Sequence, residues 1–251
     1  MRIDDSFIIF DEDKHSYTDI HGNAYLSVSA LLKKVTPEFP REAISRAVAK
    51  RDGKTQQEVL KEWDQLRDSA IVRGNAIHNA LEHYAKTEKV LESNWEQMIK
   101  SVMGIYDIYE KVYAEKRLYY VKGLICGTTD KMCYRGSNIM DYNDYKTNER
   151  NGIQYTSKYN KFLLDPVSHL EDCNYNKYAL QISTYAYIGE KQFGYKAGRL
   201  SLTFIPPDNV NNWQRIPVPY MRAEVKNIVD WYMESDEFKA TPAPIQDSPW
   251  S

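Results

Sequence analysis

The sequence predicts an α/β fold in which helices flank a β-sheet. Residues 124–134 and 138–147 are rich in β-branched and aromatic residues, and Arg135-Gly136-Ser137 between them is typical of a turn. We therefore expect a β-hairpin here. The elements predicted after it are a helix over 178–192, strands over 198–206 and 213–218, and a closing helix over 221–235.

The first half of the chain is predicted to be mostly helical after a short hairpin. Alternating apolar and polar residues over 7–25, around the turn His21-Gly22-Asn23, favour the hairpin. N-cap or capping-box patterns mark helix starts at Ser27, Thr55 and Ser93. The helices expected here cover about 28–35, 41–50, the region after Thr55, 69–86 and 93–112.

Length and composition favour one enzyme-sized domain over residues 1–251, although two domains would fit the length equally well. At 251 residues and 42% hydrophobic content the chain can bury a sizeable core. We expect a mainly helical region over 1–112, a sheet core over 113–238 and an irregular tail over 239–251.

Charge and hydropathy exclude some classes of protein. A net charge of -2 is not that of a nonspecific DNA-coating protein, but it leaves room for a basic groove. The sequence lacks an apolar signal core at its start and any apolar run near the ~18 residues of a membrane span, so we expect no membrane association and a cytoplasmic location.

The residues that suggest chemistry are Asp144-Tyr145-Lys146 and, on the preceding strand, Asp130. Asp144 and Lys146 share one face of a strand, and Tyr145 points to the other. Asp130 meets Asp144 only in the right strand register, which the sequence does not determine. Two carboxylates can hold a divalent cation that activates water, and an ammonium can hold the nucleophile or stabilise an oxyanion.

Asp-x-Lys alone occurs by chance in most proteins of this size and is typical of a solvated strand with alternating charges, so its context decides. A predicted helix upstream places Gly74, His78 and Glu82 on one face. There Glu82 either orients the imidazole or is a surface charge. A helix downstream places Gln181 and Tyr185 one turn apart.

In this order the residues resemble the RecB-like exonuclease branch of the PD-(D/E)xK nuclease superfamily. That branch includes phage-encoded exonucleases and the mitochondrial genome-maintenance exonuclease. The shared pattern is G-x-x-x-H, G-x-x-D, D-x-K and Q-x-x-x-Y, and the resemblance spans roughly residues 7–233. It implies a restriction-endonuclease-like core, a central mixed sheet flanked by helices, with a helical N-terminal region.

The resemblance also implies the site residues. His78, Asp130, Asp144 and the main-chain carbonyl of Tyr145 would bind one or two Mg²⁺ or Mn²⁺ ions. Lys146 would be catalytic together with the two aspartates. The motif residues Gly74, Gln181 and Tyr185 would support the site or contact DNA. Glu82, which lies outside the motif on the same helix face as His78, is a further candidate for support.

The implied function is a metal-dependent exonuclease acting on single- or double-stranded DNA ends, in phage or cellular recombination, repair or replication. A structure-specific endonuclease and a noncatalytic nucleic-acid-binding scaffold are the alternatives. Partners would be a helicase, a single-strand-annealing protein or a single-strand-binding protein, in the host cytoplasm if the protein is phage-encoded. Cys126, Cys133 and Cys173 are not closely paired, so we expect no iron–sulfur cluster.

The polar segment 148–177 has two interpretations. It could be a loop over the active site in which Lys158 and Lys161 meet phosphates while Tyr155 or Tyr159 stacks on a base. It could equally be a solvated insertion with no role in binding.

Overall fold

The computed structural model describes residues 5–12, 14, 16–147 and 152–241, and these form an eight-stranded mixed sheet with helices around it. The predicted α/β architecture, with a helical region in the N-terminal half, is confirmed. Most of the predicted tail, from residue 242, lies outside the described residues, as do 148–151 of the polar segment.

The strands are β1 (Ile8–Asp11), β2 (Ser16–Asp19), β3 (Ala24–Ser27), β4 (Lys111–Tyr120), β5 (Ile125–Tyr134), β6 (Ile139–Lys146), β7 (Lys196–Phe204) and β8 (Gln214–Val218). The helices are α1 (Val28–Lys34), α2 (Arg41–Asp52), α3 (Gln56–Thr87), α4 (Glu96–Gly104), α5 (Asn174–Phe193), α6 (Arg222–Glu234) and α7 (Asp236–Lys239).

Strand β5 organises the sheet. It pairs antiparallel with β4 along its length, from Tyr134 opposite Lys111 to Ile125 opposite Tyr120. Its other edge is shared, because β3 pairs in parallel at its first two residues and β6 pairs antiparallel at its last four. The sheet then continues through β7, parallel to β6, and β8, antiparallel to β7.

Helix α3 is longer than the sequence patterns indicate. It begins at the predicted capping box, in which Thr55 accepts from the Glu58 N–H and the Glu58 carboxylate accepts from the Thr55 N–H. It then runs for 32 residues, so the helix predicted over 69–86 is its second half. No proline interrupts this stretch. Within the described part of the chain, neither α3 nor any other helix is apolar over a length that would cross a membrane.

The helix predicted over 93–112 is shorter than expected. Ser93–Trp95 forms a 3₁₀ turn, and α4 follows with Trp95 at its N-cap and no side-chain cap, so the capping box predicted at Ser93 does not form. The helix ends at Gly104. Strand β4 begins at Lys111 instead, and nine of its ten residues pair with β5, because cross-strand pairing outweighs local helix propensity. Strand β4 therefore occupies the last two residues of the predicted helix.

Two apolar clusters lie against the sheet. The larger contains buried residues of α1, α5 and α6 together with Met132 and Tyr142. The smaller contains residues of α3 and α4 together with Cys133 and Tyr145. Because successive strand residues face opposite sides, the clusters cover the two faces of the β5–β6 hairpin.

Helix α5 approaches β6 closely at Gly189. A Cβ atom there would lie 2.0 Å from the Tyr142 hydroxyl oxygen. Tyr142 is 1% exposed and has little room to move. This contact sets the distance between α5 and the strand that carries Asp144 and Lys146.

We predict that Gly189→Ala lowers the free energy of unfolding by about 1–3 kcal/mol, because the added methyl overpacks the contact with Tyr142. Denaturant unfolding measures this. Gly104→Ala in α4 is the matched control, since its Cβ would meet no atom closer than 4.0 Å, and it should change stability by less than ~1 kcal/mol. Equal effects of the two substitutions would rule out the close α5–β6 contact.

Candidate active site

Strands β5 and β6 separate where the candidate residues lie. Their pairing extends to Lys131 opposite Asn143 and goes no further. Beyond this point the Asp130 carboxylate accepts a hydrogen bond from the Tyr145 N–H at 2.6 Å, in place of a backbone partner on β5. The register puts Asp130 opposite Asp144, so both carboxylates lie on one face. The structure thus brings together the two acids whose register the sequence left open.

The main-chain carbonyl of Tyr145 faces the same gap. The N–H and C=O of a strand residue point to the same edge, and the Tyr145 N–H points to Asp130. The next carbonyl, that of Lys146, accepts from the Ile205 N–H on the opposite edge. The backbone oxygen proposed as a metal ligand is therefore directed towards Asp130.

Lys146 is held by three groups. Its ammonium lies 2.5 Å from Asp144 Oδ2, donates to Gln181 Oε1 at 3.0 Å and lies 4.4 Å from the centre of the Tyr178 ring. The Gln181 amide donates to the hydroxyl of buried Tyr185 at 3.4 Å. Gln181 therefore lines the cavity and orients the lysine, while Tyr185 supports Gln181 from within the core.

His78 reaches the gap from α3. Its Nδ1 lies 3.6 Å from Asp130 Oδ1, and its ring meets the Tyr145 ring edge-on at 5.6 Å between centroids. Gly74, one turn earlier, allows α3 to approach the end of β6, since a Cβ there would lie 2.9 Å from Thr147 Oγ1. Glu82 lines the same cavity, but its carboxylate accepts from Lys86. The carboxylate beside the imidazole is that of Asp130.

Glu115 is a candidate ligand that the sequence analysis missed. It lies on β4 opposite Asp130, where the pairing passes from Ala114 to Lys116. Its φ of 48° is in the left-handed region, a strained conformation that in folded proteins clusters at functional sites. Its carboxylate, His78 and Asp130 offer ligand atoms within 4.8 Å of one another. The only available signal was an acidic residue in a strand-like segment, and that segment's start was predicted as helix.

The group formed by His78, Glu115 and Asp130 could hold a metal ion. One imidazole nitrogen and two carboxylates suit several divalent cations, including Mn²⁺, so the donor set does not identify the metal. Asp144 lies outside this group, with its carboxylate on Lys146. The predicted roles of His78, Asp130 and Asp144 as ligands of one shell remain predictions.

Burial perturbs the charges around this group. It raises the pKa of Asp130 to about 6, with a further contribution from the Asp144 charge, and raises the pKa of Glu115 to about 8, with a further contribution from Asp130. Burial also lowers the pKa of Lys131 to about 8, and within the described structure its ammonium has no hydrogen-bond partner. The site concentrates poorly solvated charge, which a bound cation would offset.

The candidate metal group, Asp144 and Lys146 line a cavity of about 700 Å³. One wall is a continuous face of α3 from Leu66 to Glu82, and the other is formed by the ends of β5 and β6 with Gln181 of α5. The predicted residues found in the lining are Gly74, His78, Glu82, Asp130, Asp144, Tyr145, Lys146 and Gln181.

Comparisons with known proteins add little. No protein-family model and no curated protein matches the chain. Among solved structures it is similar to SSO0001, with a TM-score of 0.37 and 16% identity over 83% of this chain and 75% of that one. It is also similar to a Eubacterium rectale protein provisionally named an exonuclease, with a TM-score of 0.33 and 11% identity over 86% and 87%. Likeness at this level carries no argument, and the interpretation rests on the site itself.

We predict that the stability of the metal-free protein depends on Glu115 and on pH. The folded-state pKa of Glu115 is raised, so between about pH 4.5 and 8 the folded protein retains a proton that the unfolded chain has released. The contribution of Glu115 to stability therefore falls as pH rises through this window. Glu115→Gln should raise the free energy of unfolding by about 1–2 kcal/mol more at pH 8 than at pH 5, measured with chelator. Exposed Glu38→Gln serves as the control, and a gain independent of pH would contradict the prediction.

We also predict that Mn²⁺ binds at the group formed by His78, Glu115 and Asp130. Removal of a ligand oxygen in Glu115→Gln or Asp130→Asn should weaken binding at least about tenfold in isothermal titration calorimetry. Glu82→Gln is the matched control in the same cavity and should stay within about threefold, because Glu82 is paired with Lys86. Unchanged affinity in Glu115→Gln would exclude Glu115 as a ligand.

Proposed function

We propose that the protein is a metal-dependent deoxyribonuclease that hydrolyses phosphodiester bonds at DNA ends. The observation that carries the proposal is the convergence, in one cavity, of a candidate metal group with Asp144 and the half-buried Lys146. The ordered motif from Gly74 to Tyr185 supports the same reading. The exonuclease form comes from the resemblance to the RecB-like branch, whose pattern is commonest in enzymes that process DNA ends.

We assign the residues of the site different roles in hydrolysis. His78, Glu115 and Asp130 fit a divalent cation such as Mn²⁺ or Mg²⁺, which when bound would acidify water and offset charge on the phosphate. Asp144 and the Tyr145 carbonyl lie beside this group as further candidate oxygen donors. In the reaction a water molecule loses a proton as its oxygen forms a bond to phosphorus, the bond to the leaving sugar oxygen breaks, and that oxygen takes up a proton.

Lys146 is suited to hold the nucleophilic water or a phosphate oxygen. An ammonium has three N–H donors, and here it donates to Gln181 and forms an ion pair with Asp144. The ammonium therefore keeps donor capacity for the substrate. The side chain is only 13% exposed, which keeps its charge poorly screened and its position restricted.

A noncatalytic nucleic-acid-binding scaffold is less well supported, because Asp130, Asp144 and Lys146 are all present and in contact with one another or with Tyr145 and Gln181. The proposed setting is recombination, repair or replication of phage or cellular DNA in the cytoplasm. A helicase, a single-strand-annealing protein or a single-strand-binding protein would be the partner.

We predict metal-dependent release of nucleotides from end-labelled linear DNA, with covalently closed circles left intact. Asp144→Asn and Lys146→Ala should each lower the rate by about 10²-fold or more, since each removes a group that acts at the reacting phosphate. Exposed Lys196→Ala should leave the rate unchanged. Cleavage of circles would favour an endonuclease on the same fold, and full activity in both site variants would exclude the assignment of Asp144 and Lys146.

A further inference from the structure

A second cavity, of about 590 Å³, lies beside the catalytic one. It is formed by Phe39 just before α2, by the segment 154–161 and by the start of α5 with Lys177. None of these residues belongs to the nuclease motif. We refer to this cavity as the aromatic pocket.

The aromatic pocket presents two exposed rings. Phe39 is 59% exposed and Tyr159 is 79% exposed, although large aromatic side chains usually bury most of their area. Phe39 is kept in place by Trp63 of α3, with 6.0 Å between ring centroids. Tyr155, the other tyrosine considered for stacking, packs on Tyr175 at 4.6 Å and is not part of the lining. Tyr159 and Phe39 are thus the rings available to a ligand.

The charge of the aromatic pocket favours an anion. Lys158, Lys161 and Lys177 line it, and the acidic side chain in the lining is Asp172, which pairs with Lys177 at 2.9 Å. Among the described residues, no carboxylate forms an ion pair with Lys158 or Lys161. Exposed rings next to ammonium groups are the features by which proteins bind single-stranded nucleic acid.

Two helices join the aromatic pocket to the catalytic cavity. On α5, Lys177 in the pocket and Gln181 in the catalytic cavity are one turn apart, about 6 Å along the axis. On α3, Trp63 beneath Phe39 precedes Leu66, which lines the catalytic cavity, by less than one turn. A strand lying in the aromatic pocket could therefore reach Lys146 within a few nucleotides.

We propose that the aromatic pocket binds a single-stranded segment of the DNA substrate next to the phosphodiester that is cut. Bases stack on Phe39 and Tyr159, and phosphates lie at Lys158 and Lys161. A single strand is favoured over a duplex because the bases of a duplex are stacked on one another and offer no free faces to the rings. This inference rests on the proposed nuclease function and defines its substrate more closely.

The first test measures binding without cleavage. In chelator, fluorescence anisotropy with a labelled ~12-nucleotide single strand should give tighter binding than with a blunt duplex of equal length. Phe39→Ala and Tyr159→Ala should each weaken single-strand binding about fivefold or more, from the loss of one stacked base. Trp231→Ala, at an exposed ring on α6, is the matched control and should bind like wild type.

The second test concerns the phosphates. For single strands, each phosphate contact contributes about 0.7 to the slope of log affinity against log salt concentration. The double variant Lys158→Ala/Lys161→Ala should therefore lower the slope by about 1.4. Lys196→Ala is the control, because Lys196 pairs with Ile139 at the opposite end of β6 from Lys146.

The outcomes separate the pocket from the chemistry. If Phe39→Ala and Tyr159→Ala, with wild-type unfolding midpoints, bind single strands as wild type does, the aromatic pocket is not the binding site, whatever the nuclease assay gives. Tighter binding of the blunt duplex would also overturn the inference. In a third outcome, the wild-type protein cuts no DNA with Mg²⁺ or Mn²⁺ while single-strand binding is weakened in Phe39→Ala and Tyr159→Ala. That result would support the aromatic pocket as a single-strand binding site and refute the proposed nuclease function.

Discussion

The arrangement of the site depends on one hydrogen bond, from the Tyr145 N–H to the Asp130 carboxylate. In a continued antiparallel ladder this N–H would pair with the backbone of β5. Because the carboxylate takes its place, the strands separate after Lys131 and Asn143 without leaving a buried donor unpaired. Both acidic residues line the cavity at this gap. It also lets His78, whose helix packs with the smaller apolar cluster, approach Asp130.

The lysine position depends in turn on the packing of α5. The Gln181 amide nitrogen donates to the hydroxyl of buried Tyr185, and this contact orients the amide so that its oxygen faces Lys146. Tyr185 is fixed by the core, and α5 is kept near β6 by the contact of Gly189 with Tyr142. Two partly buried hydrogen bonds thus connect the rigid core to the ammonium. This explains why two residues with no nucleophilic role stand in the motif.

Local signals in the sequence were sufficient to predict several elements that build the site. The turn at Arg135-Gly136-Ser137 and the β-rich segments around it predicted the β5–β6 hairpin, and the Thr55 capping box predicted the start of α3. What local signals lack is information on pairing between distant segments. The register that joins Asp130 to Asp144 and the pairing that brings in Glu115 are both tertiary, and the end of α4 was misplaced because pairing with β5 competes with helix propensity.

Without a metal ion, several features of the site lower the stability of the folded protein. Glu115 holds a left-handed backbone conformation, its carboxylate and that of Asp130 have raised pKa values, and the buried Lys131 ammonium has a lowered one. Each of these features costs stability, and a scaffold selected for stability alone would replace them with apolar residues. A cation held by the His78, Glu115 and Asp130 group would attract both carboxylates and so offset the repulsion between them. Its binding would stabilise the folded state by mass action. The unfavourable charges are therefore consistent with the proposal that this group binds a divalent cation.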